Sequence, residues 1–258
     1  MTSPEERMTL NVAHRGASAL APENTMAAFE MAVELGADAI ELDLHVSLDG
    51  ELVIIHDPTL DRTTDGHGPV HACSLEELKR LDAGRWFDER FAGQRIPTLT
   101  EVLERFAGTL PLALEIKAGS DFFEGIEERV VAILRKYQVI PQVAVASFDH
   151  YALLRLKELE PSLRTAALLV GRPVSISAVA KICRADAMAM EYSLITHTEI
   201  DACRAAGVQL VVWVVNEPAR MRHFVDLEVD GMITDRPDIL RHVLAERGQS
   251  HSVPTGWR

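Results

Sequence analysis

Short aliphatic runs recur along the chain, most of them followed by apolar positions at helical spacing. The runs predict strands at Leu10–Ala13, Ala39–Leu44, Leu112–Ile116, Val143–Ser147, Thr165–Leu169, Ala187–Met190, Gln209–Val215 and Gly231–Thr234. The helical spacings predict helices at Asn24–Leu35, Thr100–Phe106, Phe122–Tyr137, Tyr151–Leu159, Val174–Arg184, Thr198–Ala206, Pro218–Val225 and Asp238–Ala245. Asn24 is expected to cap the first helix, and Gly36 and Gly207 to stop the first and sixth. Strands alternating with helices over a chain of 258 residues predict a single α/β domain, a TIM barrel. An open doubly wound sheet is the alternative. It loses support because the first strand–helix turn has no GxGxxG and no GxxxxGK[ST] occurs.

One interval breaks the alternation. Residues 57–97 are rich in turns and charge and contain no strand–helix unit. The segment is too long for an ordinary connection, so an insertion after the second strand is expected, forming a cap or lid over the barrel mouth. Trp86, Phe87 and Phe91 are its expected small core.

Within Ile40–Leu44, apolar and acidic residues alternate. In a closed barrel the aliphatic face meets the helices and the other face meets the lumen. Ile40, Leu42 and Leu44 then face outward, and Glu41 and Asp43 face the mouth. The strand PLALEIKAG repeats the pattern, placing Glu115 and Lys117 on the inner face. His14 and Arg15 end the first strand. A four-residue hairpin turn pairing Val46 with Glu51 would set Glu41 opposite His56. Three carboxylates meeting without partners would repel one another and hold protons more tightly. A divalent cation relieves this, and all-oxygen donors suit Mg²⁺ or Ca²⁺ rather than zinc. A salt-bridge network of the carboxylates with Arg15 and Lys117 is the plain structural alternative. Two histidines, an arginine, a lysine and a hard cation together point to phosphate ester chemistry.

Charge and composition narrow the partners. The formal net charge of −13 repels nucleic acid and anionic membranes. No apolar run approaches the length of a membrane span, and the polar N-terminus has no secretory pattern. Cys73, Cys183 and Cys203 have neither metal nor disulfide spacing. A cytoplasmic protein without a stable membrane anchor is expected, and nothing excludes a homo-oligomer.

These residues resemble the glycerophosphodiester phosphodiesterase family, within the phospholipase-C-like phosphodiesterase superfamily. The resemblance rests on AHRGASALAPENT running through ELDLHVSLDGELVIIHDPTLDRTTDG, then LALEIK, VASFD, VVWVVN and DGMITDRP. It covers most of residues 10–240, and its layout is closest to the cytoplasmic bacterial members. It implies a TIM barrel with an insertion after the HD motif, and metal-dependent hydrolysis of glycerophosphodiesters to sn-glycerol 3-phosphate and an alcohol. Glycerophosphocholine and glycerophosphoethanolamine are examples of such substrates. By motif position, His14 and His56 resemble the family's acid–base pair, and Glu41, Asp43 and Glu115 its metal ligands. Arg15 and Lys117 resemble its phosphate-side cations, and Trp213 the tryptophan beside the glycerol portion. Val214 stands where Thr is usual in the family, and strand alternation predicts that it faces the helices. Two alternatives remain: a lysophospholipase D acting on lysolipids, and a non-catalytic barrel that binds an anionic metabolite. His45 is expected to be solvated, and Asp235 to cap the last helix.

Overall fold

The computed structural model describes residues 8–249. Nine strands form one sheet: β1 (Leu10–Ala13), β2 (Ala39–Val46), β3 (Leu52–Ile54), β4 (Leu112–Ile116), β5 (Val143–Ser147), β6 (Arg164–Leu169), β7 (Ala187–Glu191), β8 (Gln209–Trp213) and β9 (Gly231–Thr234). All but β3 are parallel, and β1 pairs with both β9 and β2, which closes an eight-stranded barrel. The antiparallel β3 hangs from β2 as a hairpin arm. This is the expected TIM barrel.

The helices α1 (Met26–Glu34) and α3 (Leu99–Phe106) show how it is held. Ile40, Leu42 and Leu44 are fully buried on the outer face of β2. Leu99, Val102, Leu103 and Phe106 line the inner stripe of α3. Phe106 meets Phe29 of α1 edge-on, with ring centroids 6.1 Å apart. Each such buried aromatic or aliphatic side chain contributes roughly 1.5–3 kcal/mol. The outer helices α4 (Ile126–Tyr137), α5 (His150–Leu159), α6 (Ile176–Cys183), α7 (His197–Ala206), α8 (Pro218–Asp226) and α9 (Pro237–Glu246) continue the shell.

Several local expectations are corrected. Helix α1 is capped by Thr25, not Asn24. Asn24 takes a left-handed φ of 56° and turns its amide to Asp43 instead. The hairpin is shifted by one residue: Leu44 opposes Ile54 and Val46 opposes Leu52. Ser47 and Glu51 close the turn through the Glu51 N–H to Ser47 Oγ bond and a left-handed Gly50. Glu41 therefore does not pair with His56, which reaches the mouth from the loop after β3.

The short helix α2 (Leu75–Leu78) lies within residues 57–97. Leu60, Val70, Leu78, Ala83 and Ile96 pack with Val53 and Ile55 of the hairpin arm into a satellite core. Trp86, Phe87 and Phe91 do not form that core. They stack on one another edge-on, with Trp86 40% exposed, because the aliphatic residues already fill the interior. No helix among the described residues is long and apolar enough to cross a membrane.

Candidate active site

Strand parity and register assemble the site. In the parallel pairing of β2 with β4, Asp43 lies beside Glu115 and Glu41 lies one inward position below Asp43. Glu41, Asp43 and Glu115 each offer a carboxylate oxygen, and the three oxygens lie within 4.8 Å of one another. Glu41 and Asp43 are buried, Asp43 completely.

Basic groups thread through this acidic cluster. Lys117 Nζ lies 2.7 Å from both Asp43 Oδ1 and Glu115 Oε1. Arg15 Nε is 3.2 Å from Asp43 Oδ2, and the Arg15 backbone N–H donates to Glu41 Oε2 at 2.9 Å. Arg15 holds a left-handed φ of 54°, a conformation that costs a non-glycine residue about 1–2 kcal/mol and is offset by these contacts. Asn24 Nδ2 donates to Asp43 Oδ2 at 2.7 Å.

The charges respond accordingly. Burial and then the neighbouring Asp43 push the Glu41 carboxyl up to about 7. Glu115 is raised as well, chiefly by burial. Burial opposes ionisation of Asp43 too, but Lys117 and Arg15 hold it well below the usual carboxylate range. A divalent cation fits this donor set. All three donors are hard oxygens. Asp43 Oδ1 is buried and, among the described residues, is in ion contact with Lys117 but has no hydrogen-bond partner.

Each histidine at the mouth has its own carboxylate. His14 Nδ1 lies 2.6 Å from Asp235 Oδ1, and His56 Nδ1 lies 2.6 Å from Asp57 Oδ1. A carboxylate only accepts, so Nδ1 donates in both pairs and Nε2 is left for other work. Burial lowers the pKa of His14, but the Asp235 bond and the Glu41 charge more than reverse this, and the net shift is upward. Burial and the Lys117 charge lower that of His56.

His14, Arg15, Glu41, His56, Glu115 and Lys117 line a single cavity of about 170 Å³. Ala113, Ala146 and Val211 add apolar surface to its wall, and Arg164, Asp186 and Asp230 at the strand starts also line it. Trp213 closes one side, edge-on to Phe148 with centroids 5.7 Å apart. Trp213 Nε1 is a buried donor with no hydrogen-bond partner among the described residues. Val214 also lines the cavity, contrary to its expected helix-facing position, because β8 ends at Trp213 and alternation ends with it.

Two further expectations fail. Asp235 caps no helix, since Arg236 holds the N-cap position of α9 without a side-chain bond. Asp235 instead accepts from His14, Ser18 Oγ at 2.9 Å and Asn216 Nδ2 at 2.5 Å. His45 is buried rather than solvated, and its Nε2 lies 3.0 Å from the backbone carbonyl of His56. It sits on β2 itself, because the strand runs two residues further than its apolar pattern suggests. Asp57 and Glu23, which touch His56 and Arg15, carry no periodic signal. Only their place within the quoted motifs could have marked them.

Comparison with known proteins identifies the family and supports the fold. Residues 14–239 match the model of the Glycerophosphoryl diester phosphodiesterase family. The chain is 42% identical to a glycerophosphodiester phosphodiesterase of Caldanaerobacter subterraneus subsp. tengcongensis, over 93% of this chain and 99% of that protein. A crystal structure of glycerophosphodiester phosphodiesterase from Agrobacterium tumefaciens superposes with a TM-score of 0.82 at 36% identity, covering 90% of this chain and 99% of that one. An Oleispira antarctica phosphodiesterase solved with the product sn-glycerol-3-phosphate superposes at 0.85, with 29% identity over 91% of this chain and 96% of its own. The chain therefore belongs to the glycerophosphoryl diester phosphodiesterase family and is an enzyme of that class, a phosphoric diester hydrolase.

Proposed function

We propose that the enzyme hydrolyses small glycerophosphodiesters such as glycerophosphocholine and glycerophosphoethanolamine to sn-glycerol 3-phosphate and the alcohol. The carrying observation is the pair of histidine–carboxylate dyads flanking one carboxylate cluster. Glu41, Asp43 and Glu115 would hold Mg²⁺ or Ca²⁺. When bound, the ion polarises the phosphoryl oxygens and neutralises developing charge. Arg15 offers forked donors to phosphate oxygens, and Lys117 adds a point charge.

The two histidines divide the proton work by their environments. His56, lowered and held by Asp57, is the neutral partner at neutral pH and takes the proton of the attacking oxygen at Nε2. That oxygen belongs to water, which gives glycerol 3-phosphate in one step, or to the substrate's neighbouring hydroxyl, which gives a cyclic phosphate that water then opens to glycerol 3-phosphate. As it bonds to phosphorus, the bond from phosphorus to the leaving alcohol breaks. His14, raised and held by Asp235, donates its Nε2 proton to the departing oxygen. Trp213, whose indole N–H has no hydrogen-bond partner among the described residues, suits a glycerol hydroxyl. The test is a panel of glycerophosphodiesters against Mg²⁺, Ca²⁺ and a chelator. Release of sn-glycerol 3-phosphate that disappears with the chelator supports this reading, and chelator-resistant turnover overturns the metal role.

A second reading, lysophospholipase D activity on lysolipids, draws support from the alanine and valine surface in the cavity wall and from the half-exposed Phe148 that also lines it. Turnover of lysophosphatidylcholine exceeding that of glycerophosphocholine would favour it.

A further inference from the structure

Arg62 lies in the segment between His56 and Pro97 and bears no periodic signal, yet its guanidinium is where two carboxylates meet. Nε and Nη2 donate to Asp57 Oδ2 and Oδ1 at 2.8 and 2.9 Å. Nη1 and Nη2 donate to Glu23 Oε2 and Oε1, both at 2.7 Å. Each carboxylate also holds a residue of the catalytic cavity. Asp57 Oδ1 lies 2.6 Å from His56 Nδ1, and Glu23 Oε1 accepts from Arg15 Nη1 at 2.9 Å. Two chains of bonds thus leave one guanidinium, one ending on a histidine and the other on an arginine of the same mouth.

We propose that Arg62 is a positioning residue for the hydrolysis: by clasping Asp57 and Glu23 together, it sets the orientations of His56 and Arg15 as a pair. This rests on the roles proposed above for those two residues.

The chemistry of the guanidinium carries the idea. It is planar, with N–H donors in a fixed fork, so two bidentate contacts fix each carboxylate in angle as well as in distance. An ammonium would neutralise the same charges without fixing the angles. Without the clasp, Asp57 and Glu23 would repel each other and turn towards solvent. Asp57 would then no longer fix the His56 ring, and Glu23 would be free to pull Arg15 away from a phosphate. The hydrogen bonds from Arg62, with that from His56, hold Asp57 far below the usual carboxylate range despite partial burial, so it stays an anionic acceptor. Burial opposes ionisation of Glu23, and Arg62 with Arg15 still holds it low. The clasp is 42% exposed at Arg62, whereas Glu23 and Asp57 are only 12% and 25% exposed. A surface residue thus governs groups set deeper than itself.

A simple staple joining residues 57–97 to the barrel would make the same contacts, so the test reads chemistry as well as stability. Steady-state kinetics on glycerophosphocholine, at saturating divalent ion, would compare the full-length wild type with Arg62→Gln, Arg62→Lys, Asp57→Asn and Asp57→Asn/Arg62→Gln. Small misplacements of reacting groups lower rates by up to about 100-fold. Arg62→Gln is expected to lower kcat at least about 10-fold, with Arg62→Lys nearer to it than to wild type. In the double variant kcat should stay within about threefold of Asp57→Asn, because that arm is already cut. Its KM should still rise, through the Glu23 arm. Should Arg62→Gln not fold, Arg62→Lys serves in the same cycle. The proposal is overturned if Arg62 variants lose thermal stability but keep kcat and KM within about twofold, or if the two losses in kcat multiply. A His56→Ala variant run in parallel keeps the two ideas separate. If it is inactive while Arg62→Gln turns over normally, the clasp alone fails. If it is active, the proposed role of His56 fails first.

Discussion

Nδ1 of His14 lies 2.6 Å from Oδ1 of Asp235, across 221 residues of sequence. Register brings them together. Ala13 of β1 pairs with Thr234 of β9, so the residues that follow the two strands emerge side by side at the mouth. Ser18 and Asn216 donate to the same carboxylate and fix it. Asp235 in turn is held down to about 2 by the His14 bond, although burial alone would raise it.

Replacing Asp235 by Asn keeps the shape and removes the charge. His14 should then become less basic, since the Asp235 bond is the largest influence raising it. The pH–rate limb belonging to the proton donor should move to lower pH, and kcat at pH 7.5 should fall about 10- to 100-fold. Pre-steady-state and steady-state pH profiles would check this. An unchanged limb would remove Asp235 from the donor's control.

Metal affinity should depend on pH through Glu41. Its carboxyl, pushed up to about 7 by burial and by Asp43, holds a proton below that value when no cation is bound. A cation must displace this proton. Affinity should therefore rise with pH up to about 7 and flatten above it, by roughly tenfold per unit below 7. Calorimetric titration with Mg²⁺ and Ca²⁺ at pH 6, 7 and 8 reads this directly. Equal affinities at pH 6 and 8 would contradict it, and Glu41→Ala should weaken binding at every pH.

The same residue should trade stability for binding. A carboxyl raised in the folded state destabilises the protein when it ionises, so the penalty grows as pH rises from 4.5 to about 7. In chelator, Glu41→Gln should melt above wild type at pH 8 and level with it at pH 4.5. Calorimetric melting at the two values checks the sign. A variant that is less stable at pH 8 would show that Glu41 stabilises the fold as an anion.

The acidic cluster was readable because strand alternation is local: once Ile40, Leu42 and Leu44 are assigned outward, Glu41 and Asp43 must face inward, and β4 repeats the rule at Glu115. What alternation cannot reach is loop geometry. Asn24 looks like a helix cap, and only its left-handed φ shows the amide turned to Asp43. The hairpin register slipped by one because a left-handed Gly50 shapes the turn. Asp235 and Arg62 act from loops, where neither period applies.

Gly16 bears directly on the position of His14 and Arg15. Its φ is +82°, and a Cβ there would lie 2.6 Å from the backbone carbon of Ala28 in α1. Gly16→Ala should destabilise the protein by more than the about 1–2 kcal/mol of a left-handed alanine, and should lower kcat as well. Urea unfolding with parallel kinetics would measure both. A loss within 1 kcal/mol and normal turnover would mean the loop yields without disturbing the site.

Release of sn-glycerol 3-phosphate from glycerophosphocholine by His56→Ala, at saturating divalent ion and with melting followed in parallel, is the most direct measurement. Proton transfer by His56 predicts a loss of about 10²–10⁴-fold in turnover with the fold retained. Turnover within a few-fold of wild type would contradict it.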